Sequence, residues 1–377
     1  MNSQYPVVVY AASGYTGRLV CEALTKLRIP FLAAGRNLAK LEEVARELRA
    51  QGADCSARAA EHTPAALRSL FQGARVVINT SGPFSLLGHD CVEAALAVGA
   101  HYVDTTGEQD FMFDLRRDYH ERFKQANLLL SPSAAFLWAP GAAAAELCLD
   151  VHGIDSLSIA YAPPSLQTVA SLQSMFRSAR RASFGIVQGR LTPLPPDLVH
   201  DVVLPSGEVR RGLLLGSGET TFLQGDPRLQ NLDTTFTSND LAKVAPIFGL
   251  WNRISKVVDG DVLDKLSDRV VPMLKKDPPA EDAATQAFVV QVKGTGHGKS
   301  VRVIVTGHSP YVSTGFLCAM GAQSVLDGKA QRLGYASLAQ AFGAKYVFAR
   351  LEEIGTKYTL QTAGEKLETK RARSATA

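Results

Sequence analysis

The sequence predicts an α/β chain with a doubly wound parallel sheet, joined to an inserted α/β domain whose own sheet is mixed or antiparallel. Three observations predict it. Short apolar runs alternate with amphipathic stretches through the first 133 residues, the pattern of successive βαβ units. The first run ends in a glycine-bearing loop that opens a helix. From Ser156 onward the apolar residues recur with period two, as in a sheet with one covered face.

In chain order, Val7, Val8, Val9 and Tyr10 form a compact run without alternation, as a strand buried on both faces requires. Leu19, Val20, Ala23, Leu24 and Leu27 then share one helical face. Phe31 to Ala34 is a second strand, and Asn37 is the N-cap of a helix burying Leu38, Leu41, Val44, Ala45 and Leu48. Strand-like runs recur at Val76–Ile78, Tyr102–Val103 and Leu128–Leu130. A helix is expected from Pro140 toward Val151. Leu157, Ile159 and Tyr161 alternate, as do Phe288 to Val292 and Val301 to Val305. Hairpin turns fall at Pro205-Ser206-Gly207 and at Gly294 to Gly298. Helical periodicity marks Leu241–Val258, Val262–Leu274, Val312–Leu326 and Leu338–Ile354. The expected organisation is a nucleotide-binding domain over 1–133, a substrate and dimerisation domain over 134–310, and helices over 311–377 that return to the first domain and end in a frayed tail.

At 377 residues, with 46% hydrophobic and 20% charged residues, the chain has the composition of a folded protein rather than a disordered or collagen-like one. The net charge of +4 is 40 basic against 36 acidic residues, spread along the chain. No basic block interleaves with aromatics, so nucleic acid is not the expected partner. Lys370, Arg371 and Arg373 read as a solvated tail. Five scattered cysteines without a Cys-x-x-Cys pair argue against a disulfide framework or a zinc site. No leader and no membrane-length apolar stretch is visible, and the expected location is cytoplasmic.

The loop Ala11-Ala12-Ser13-Gly14-Tyr15-Thr16-Gly17 ends the first strand and opens a helix. Backbone amides at such a helix start face a pyrophosphate. Gly14 and Gly17 fill two of the three glycine positions of the dinucleotide pattern, with Ala11 at the first. The second strand ends in Gly35-Arg36-Asn37, where an NAD site carries an acid that accepts from the ribose hydroxyls. Arg36 instead matches a 2′-phosphate, with Lys40 one turn on adding charge. The expected cofactor is therefore NADP(H), and the alternative is that Arg36 is a solvated residue at a helix start. Thr80, Ser81, Gly82, Pro83 and Phe84 follow the strand at Val76–Ile78 and are assigned to the nicotinamide-side ribose and phosphates. Thr106 and Gly107 follow the strand at Tyr102–Val103 at the same edge. Glu108 is either a cleft carboxylate or a cap on the helix that follows it.

The stretches AASGYTG, AAGRN, NTSGPF, GHDCVEAALAVGAHYVDTTGE and SPYVSTG resemble the saccharopine dehydrogenase-like reductases, and among them most the trans-acting enoyl reductases. Ser171 through Gly189-Arg190-Leu191 and Ala339-Gln340-Ala341-Phe342-Gly343 extend the resemblance over nearly the whole chain. It implies a Rossmann-type domain binding NADP(H), with an inserted α/β substrate domain over the nicotinamide. The chain departs from the family at Ala11, where a glycine is usual. It departs again at Ser131-Pro132-Ser133-Ala134-Ala135-Phe136, where the enoyl reductases have a Gly-Phe-Asp-Ser-type motif with a carboxylate.

Hydride transfer needs a nicotinamide carbon held about 3.5 Å from an electrophilic carbon and little else. The candidate proton donors are Tyr15 and Tyr311, with packing or cofactor contact as their ordinary alternative. His89 and His101 are weaker candidates. Phe84, Phe136, Leu137 and Trp138 are either an apolar substrate wall or junction core. Arg177, Arg180 and Arg181 are either carboxylate binders or a solvated face. No metal site is expected. The favoured activity is NADPH-dependent reduction of an activated C=C bond in an apolar or acyl-type small molecule. Reduction of a C=N imine, and a non-catalytic NADP-binding scaffold or redox sensor, are the alternatives. The apolar content of the second domain and the family resemblance make a homodimer the expected assembly.

Overall fold

The computed structural model describes residues 5–163, 181–195, 199–237 and 286–362, with isolated positions between them. A parallel seven-stranded sheet runs in the order β15-β6-β5-β4-β1-β2-β3. Its strands are β1 (Val7–Tyr10), β2 (Phe31–Gly35), β3 (Cys55–Ala59), β4 (Val76–Asn79), β5 (His101–Asp104), β6 (Leu129–Ser131) and β15 (Gly334–Tyr335). All four residues of β1, and of β4, are buried, because helices cover both faces of the sheet. Those helices are α1 (Tyr15–Lys26), α2 (Leu38–Ala50), α3 (Pro64–Phe71), α4 (Phe84–Ala97) and α5 (Gln109–Gln125). Asn37 caps α2 by accepting from Lys40 N at 3.1 Å, and α2 buries Leu41, Val44, Ala45 and Leu48. Leu38, expected inward, is half exposed at the first position of that helix.

The second sheet is nine-stranded and mixed. It contains β7 (Ser156–Ala162), β8 (Phe184–Val187), β9 (Arg190–Pro193), β10 (Val199–Val203), β11 (Val209–Leu214), β12 (Asn231–Phe236), β13 (Ala287–Gly296), β14 (Lys299–His308) and β16 (Lys357–Thr362). β12 and β7 are parallel, while β10–β11 and β13–β14 are the two hairpins legible in the sequence. Helix α6 (Ala139–Leu149) buries nearly every residue it has, and it packs against β13 and β14. A short helix α7 (Gly218–Leu223) follows β11.

After residue 310 the chain divides its allegiance. α8 (Pro310–Leu326) lies on α1, so closely that a Cβ at Gly315 would come within 2.7 Å of Leu19 O. β15 then joins the first sheet beside β6. β16 pairs with β14 in the second sheet, so the segment expected to return as helices to the first domain ends as a strand of the other. The single helix expected over Leu338–Ile354 is two, α9 (Leu338–Phe342) and α10 (Ala344–Glu352). Gly343 between them has φ of +91°, a left-handed conformation that stops a helix. The helices expected over Leu241–Val258 and Val262–Leu274, most of the stretch from Ser171 to Arg180, and the basic tail lie outside the described residues.

Candidate functional site

The carboxyl edge of the parallel sheet gathers the loops singled out in the sequence. After β1, Ala11 takes a left-handed φ of +65°, and Gly14 N donates to Ala11 O at 3.0 Å, closing the turn. Gly14 is exposed at the start of α1, and Ser13, Tyr15 and Thr16 are partly open. Gly17 is buried, and a Cβ there would lie 2.3 Å from Ala11 O, 2.8 Å from Ala12 Cα and 2.9 Å from Thr80 Oγ1. Only glycine allows α1 to start this close to β1. Thr80 lays the β4 loop on the same turn, its N and Oγ1 both donating to Tyr10 O at 3.1 and 2.9 Å.

At the end of β2, Gly35 is buried beneath Ala11, while Arg36, Asn37 and Lys40 are all exposed. The Arg36 charge lies close enough to Tyr10 to oppose the burial that pushes that phenol up to about 12. Tyr10 Oη and His62 Nδ1 are 2.9 Å apart. Neither Tyr10 nor His62 was singled out by sequence, since a strand-end tyrosine and a loop histidine 52 residues apart share no local pattern.

Glu108 behaves differently from both sequence readings. It stands at the N-cap position of α5 but makes no side-chain cap there. Its carboxylate reaches back across the sheet to α4, accepting Phe84 N and Ser85 N at 2.9 Å each. The amides at the start of α4 are thereby spent on an internal carboxyl group. Glycine at Gly82 and Gly107 is not demanded by anything inside the chain: a Cβ at Gly82 would meet only the Phe84 ring at ordinary contact, and at Gly107 nothing. Both therefore leave the backbone open to approach from outside. Ser81 N and Oγ donate to Asn79 Oδ1 at 2.9 and 2.6 Å, and Asn79 Nδ2 donates to Tyr102 Oη at 3.0 Å. Thr106 is buried, its Oγ1 accepting Glu108 N at 3.0 Å. The loops after β4 and β5 are thus set by their own buried polar atoms.

The first turn of α8 closes this group. The Tyr311 ring meets Tyr15 edge-on with centroids 5.2 Å apart, and Thr314 Oγ1 accepts Phe136 N at 3.0 Å. The two candidate donors are therefore neighbours, between the turn after β1 and the segment after β6. The histidines are elsewhere. His101 stands at the start of β5, the opposite edge of the sheet, where its Nδ1 accepts Leu129 N at 2.9 Å and burial lowers its pKa to about 4. His89 packs on Phe111 and faces Asp114. Arg181 pairs with Asp110, so it is not free for a substrate carboxylate. Arg177 is buried. Phe84, Phe136 and Trp138 are buried, whereas Leu137 is partly open.

Sequence reasoning also missed two buried carboxyls. Asp104 Oδ1 accepts Thr106 N and Ser133 N at 2.9 and 2.8 Å. Tyr161 Oη donates to Glu219 Oε1 at 2.5 Å and accepts Gly141 N at 3.1 Å. Burial raises each carboxyl to about 7. Asp104 ends a strand in a run whose local pattern gives it no partner, and nothing local distinguishes Glu219 from a surface glutamate.

A strand–loop–helix turn closed to any Cβ at Gly17, with an exposed arginine beyond β2, fits a dinucleotide carrying a 2′-phosphate. Residues 7–130 match the model described as the saccharopine dehydrogenase NADP binding domain. The fold and site thus define an NADP-binding domain similar to that of saccharopine dehydrogenase. Residues 139–360, more than half of the chain, match a second model, described as a family of unknown function (DUF5938), and the chain belongs to that family. Among similar proteins, the "Lipid droplet localized protein" of Caenorhabditis elegans is 37% identical over 132 residues, 33% of this chain and 31% of that one. A "Probable mitochondrial saccharopine dehydrogenase-like oxidoreductase" of Arabidopsis thaliana is 31% identical over 144 residues, 35% of this chain and 32% of that one. The matches to these relatives span about a third of their length. Apo saccharopine dehydrogenase (L-Glu forming) from Saccharomyces cerevisiae shares the fold over 95% of this chain and 99% of its own, with TM-score 0.63 and 13% identity. The cytoplasmic location expected from sequence does not stand, because relatives are described as lipid droplet localized and mitochondrial. No helix among the described residues is long and apolar enough to cross a membrane.

Proposed function

We propose that the protein is an NADPH-dependent reductase that delivers hydride to an activated C=C bond of an apolar or acyl-type small molecule. The observation that carries this reading is the apolar wall after β6. From Ser131 to Ala145 every residue is buried except Leu137, so the segment offers a hydrocarbon and no charge at the sheet edge where α/β proteins bind ligands.

In this reading Gly14, Tyr15, Thr16 and Gly17 face the pyrophosphate with Ala11 and Ser13 shaping the turn. Arg36 and Lys40 hold the 2′-phosphate, and Gly35 and Asn37 frame the adenosine side. Thr80, Ser81, Gly82, Pro83, Phe84, Thr106 and Gly107 border the nicotinamide half. The cofactor supplies the hydride. Tyr15 and Tyr311, which share one contact, are the groups from which a phenol donates the proton to the carbon beside the hydride acceptor. The proposed assembly is a homodimer, which light scattering after size exclusion tests.

A second reading, reduction of a C=N imine made from an amine or amino acid, is favoured by one observation. Arg177, 5% exposed, puts a guanidinium inside the protein on the stretch between β7 and β8, and buried guanidinium groups suit carboxylates.

The deciding experiment titrates wild type and Arg36→Ala with NADPH and with NADH. Wild type should prefer NADPH, and the variant should lose about tenfold or more in NADPH affinity, the range of a charge-assisted contact, while NADH binding stays put. Binding of neither nucleotide by wild type would sink the oxidoreductase reading. With binding established, NADPH consumption with α,β-unsaturated thioesters against amino-acid imines separates the two substrates.

A further inference from the structure

The segment from Ser133 to Gly141 bridges the two sheets, and a buried carboxyl from each side holds one of its ends. At the start, Asp104 Oδ1 accepts Ser133 N, and Asp104 O accepts Ala134 N at 2.7 Å. Ser133, with φ of +56°, folds the segment on itself: its Oγ donates to Leu137 O at 2.7 Å and accepts Trp138 N at 3.1 Å. At the other end, Gly141 N donates to Tyr161 Oη, which donates to Glu219 Oε1. A Cβ at Gly141 would lie 2.2 Å from both of those oxygens, so the contact itself requires glycine. Asp104 and Glu219 are both completely buried, and Asp104 Oδ2 and Glu219 Oε2 are without a hydrogen-bond partner among the described residues. Two buried carboxyls at the ends of one short segment exceed what packing alone asks for.

We propose that Asp104 and Glu219 are positioning residues that fix the Ser133–Gly141 segment as one wall of the substrate cleft and so set the place of Leu137. The proposal rests on the reductase reading, because it is the substrate that Leu137 would touch. An ionised carboxyl grips backbone N–H and phenol O–H more strongly than a neutral one. Both groups titrate near neutrality, so the grip follows pH. Facing Asp104 are Tyr102 on its own strand, Glu108 in the next turn, Cys91 from α4, Cys318 from α8 and Tyr335 from β15. Facing Glu219 are Tyr161 from β7 and Ser217 at the start of its own helix.

Trp138 reports on the segment, its ring 5.2 Å from that of Tyr161. The chain has 2 tryptophans, so Trp251→Phe leaves Trp138 alone. In that background Trp138 emission should show a step near pH 7, followed from about pH 5 to 9. Glu219→Gln, which keeps an acceptor for Tyr161, should remove the Glu219 part of the step, and Asp104→Asn the rest. Should Glu219→Gln fail to fold, Tyr161→Phe decides, since it keeps the carboxyl and cuts its link to Gly141. A wild type without the step, or a step unchanged in all variants, overturns the proposal. On a thioester or imine that the protein reduces, Glu219→Gln should raise KM about tenfold with a smaller fall in kcat. A fall in kcat with KM unchanged also overturns it. NADPH binding by wild type on the same samples tests the reductase reading separately, and its loss leaves the emission result standing.

Discussion

Ala11 and Gly17 make opposite demands on one turn. The turn needs a left-handed residue at position 11, where alanine is strained, and needs no side chain at position 17. Gly17→Ala would press a methyl into Ala11 O and Ala12 Cα of the turn after β1, so the helix start must move. We expect a loss of about 1–3 kcal/mol, the usual cost of overpacking, together with loss of NADPH binding. Ala11→Gly should act the other way, adding about 0.5–1 kcal/mol of stability by relieving the left-handed alanine, with nucleotide affinity retained. Urea denaturation and NADPH titration of the two variants check both. The buried carboxyls give a third expectation. Glu219 is raised by burial to about 7, above its unfolded value, so the stability it allows is complete below the ordinary carboxylate range and is lost as pH rises through 7. Wild type should lose on the order of 1–3 kcal/mol from this group between about pH 5 and 8, and Glu219→Gln should show a shallower slope. Equal slopes would mean that Glu219 ionises without penalty.

At the scale of elements, α5 is where the two sheets are fastened. Gln109 acts as an extra strand residue, its amide accepting Phe184 N and donating to Phe184 O at 2.9 Å each, and also donating to Ser217 O at 3.0 Å. Two turns on, Arg116 donates to Thr221 O at 2.6 Å and Gln224 O at 2.7 Å, the carbonyls at the end of α7. Arg116→Ala would strand those carbonyls and cost about 2–3 kcal/mol, while Arg116→Lys should recover only part, because one ammonium does not span both. Chemical denaturation of the two variants measures this. Such fastenings explain what the sequence could and could not reveal. β1, β2 and β4 were legible because each is a continuous apolar run. β3 was not, because Ser56 and Arg58 break its pattern at the sheet edge, and β15 is 2 residues long. β16 was read as part of a tail because its pairing partner lies more than fifty residues earlier. The turn from Ala11 to Gly17 was legible because its glycine pattern is local. The links Asp104–Ser133 and Tyr161–Glu219 span 29 and 58 residues, and no window of sequence holds both partners. Glu108 was misread for the same reason: its partners precede it by 24 and 23 residues, while a local rule looks only forward.

Across the whole molecule, the two sheets share most of their described interior. One continuous core takes in Val7 and Leu24 at one extreme and Val292 and Val303 at the other, with α6 buried between them and α8, β15 and β16 carrying one strand of chain through both, while a small cluster of Ala160, Ala162, Val202 and Leu204 stands apart on the second sheet. Cooperative unfolding follows from that continuity, since neither sheet can lose its packing without exposing apolar surface of the other. Leu24→Ala, beneath the first sheet, and Val303→Ala, in the second, should therefore lower one and the same calorimetric transition, by about 1–3 °C for each kcal/mol lost. Saturating NADPH should raise that same transition, adding about 2.7 kcal/mol when the ligand stands at a hundred times its Kd, and the gain should be seen by probes in both sheets. Two transitions, of which NADPH and Leu24→Ala move only one and Val303→Ala only the other, would show that the shared core does not couple the sheets. The nucleotide would then stabilise the fold of its own half alone, and the wall between Ser133 and Gly141 would be joined to two independently melting bodies.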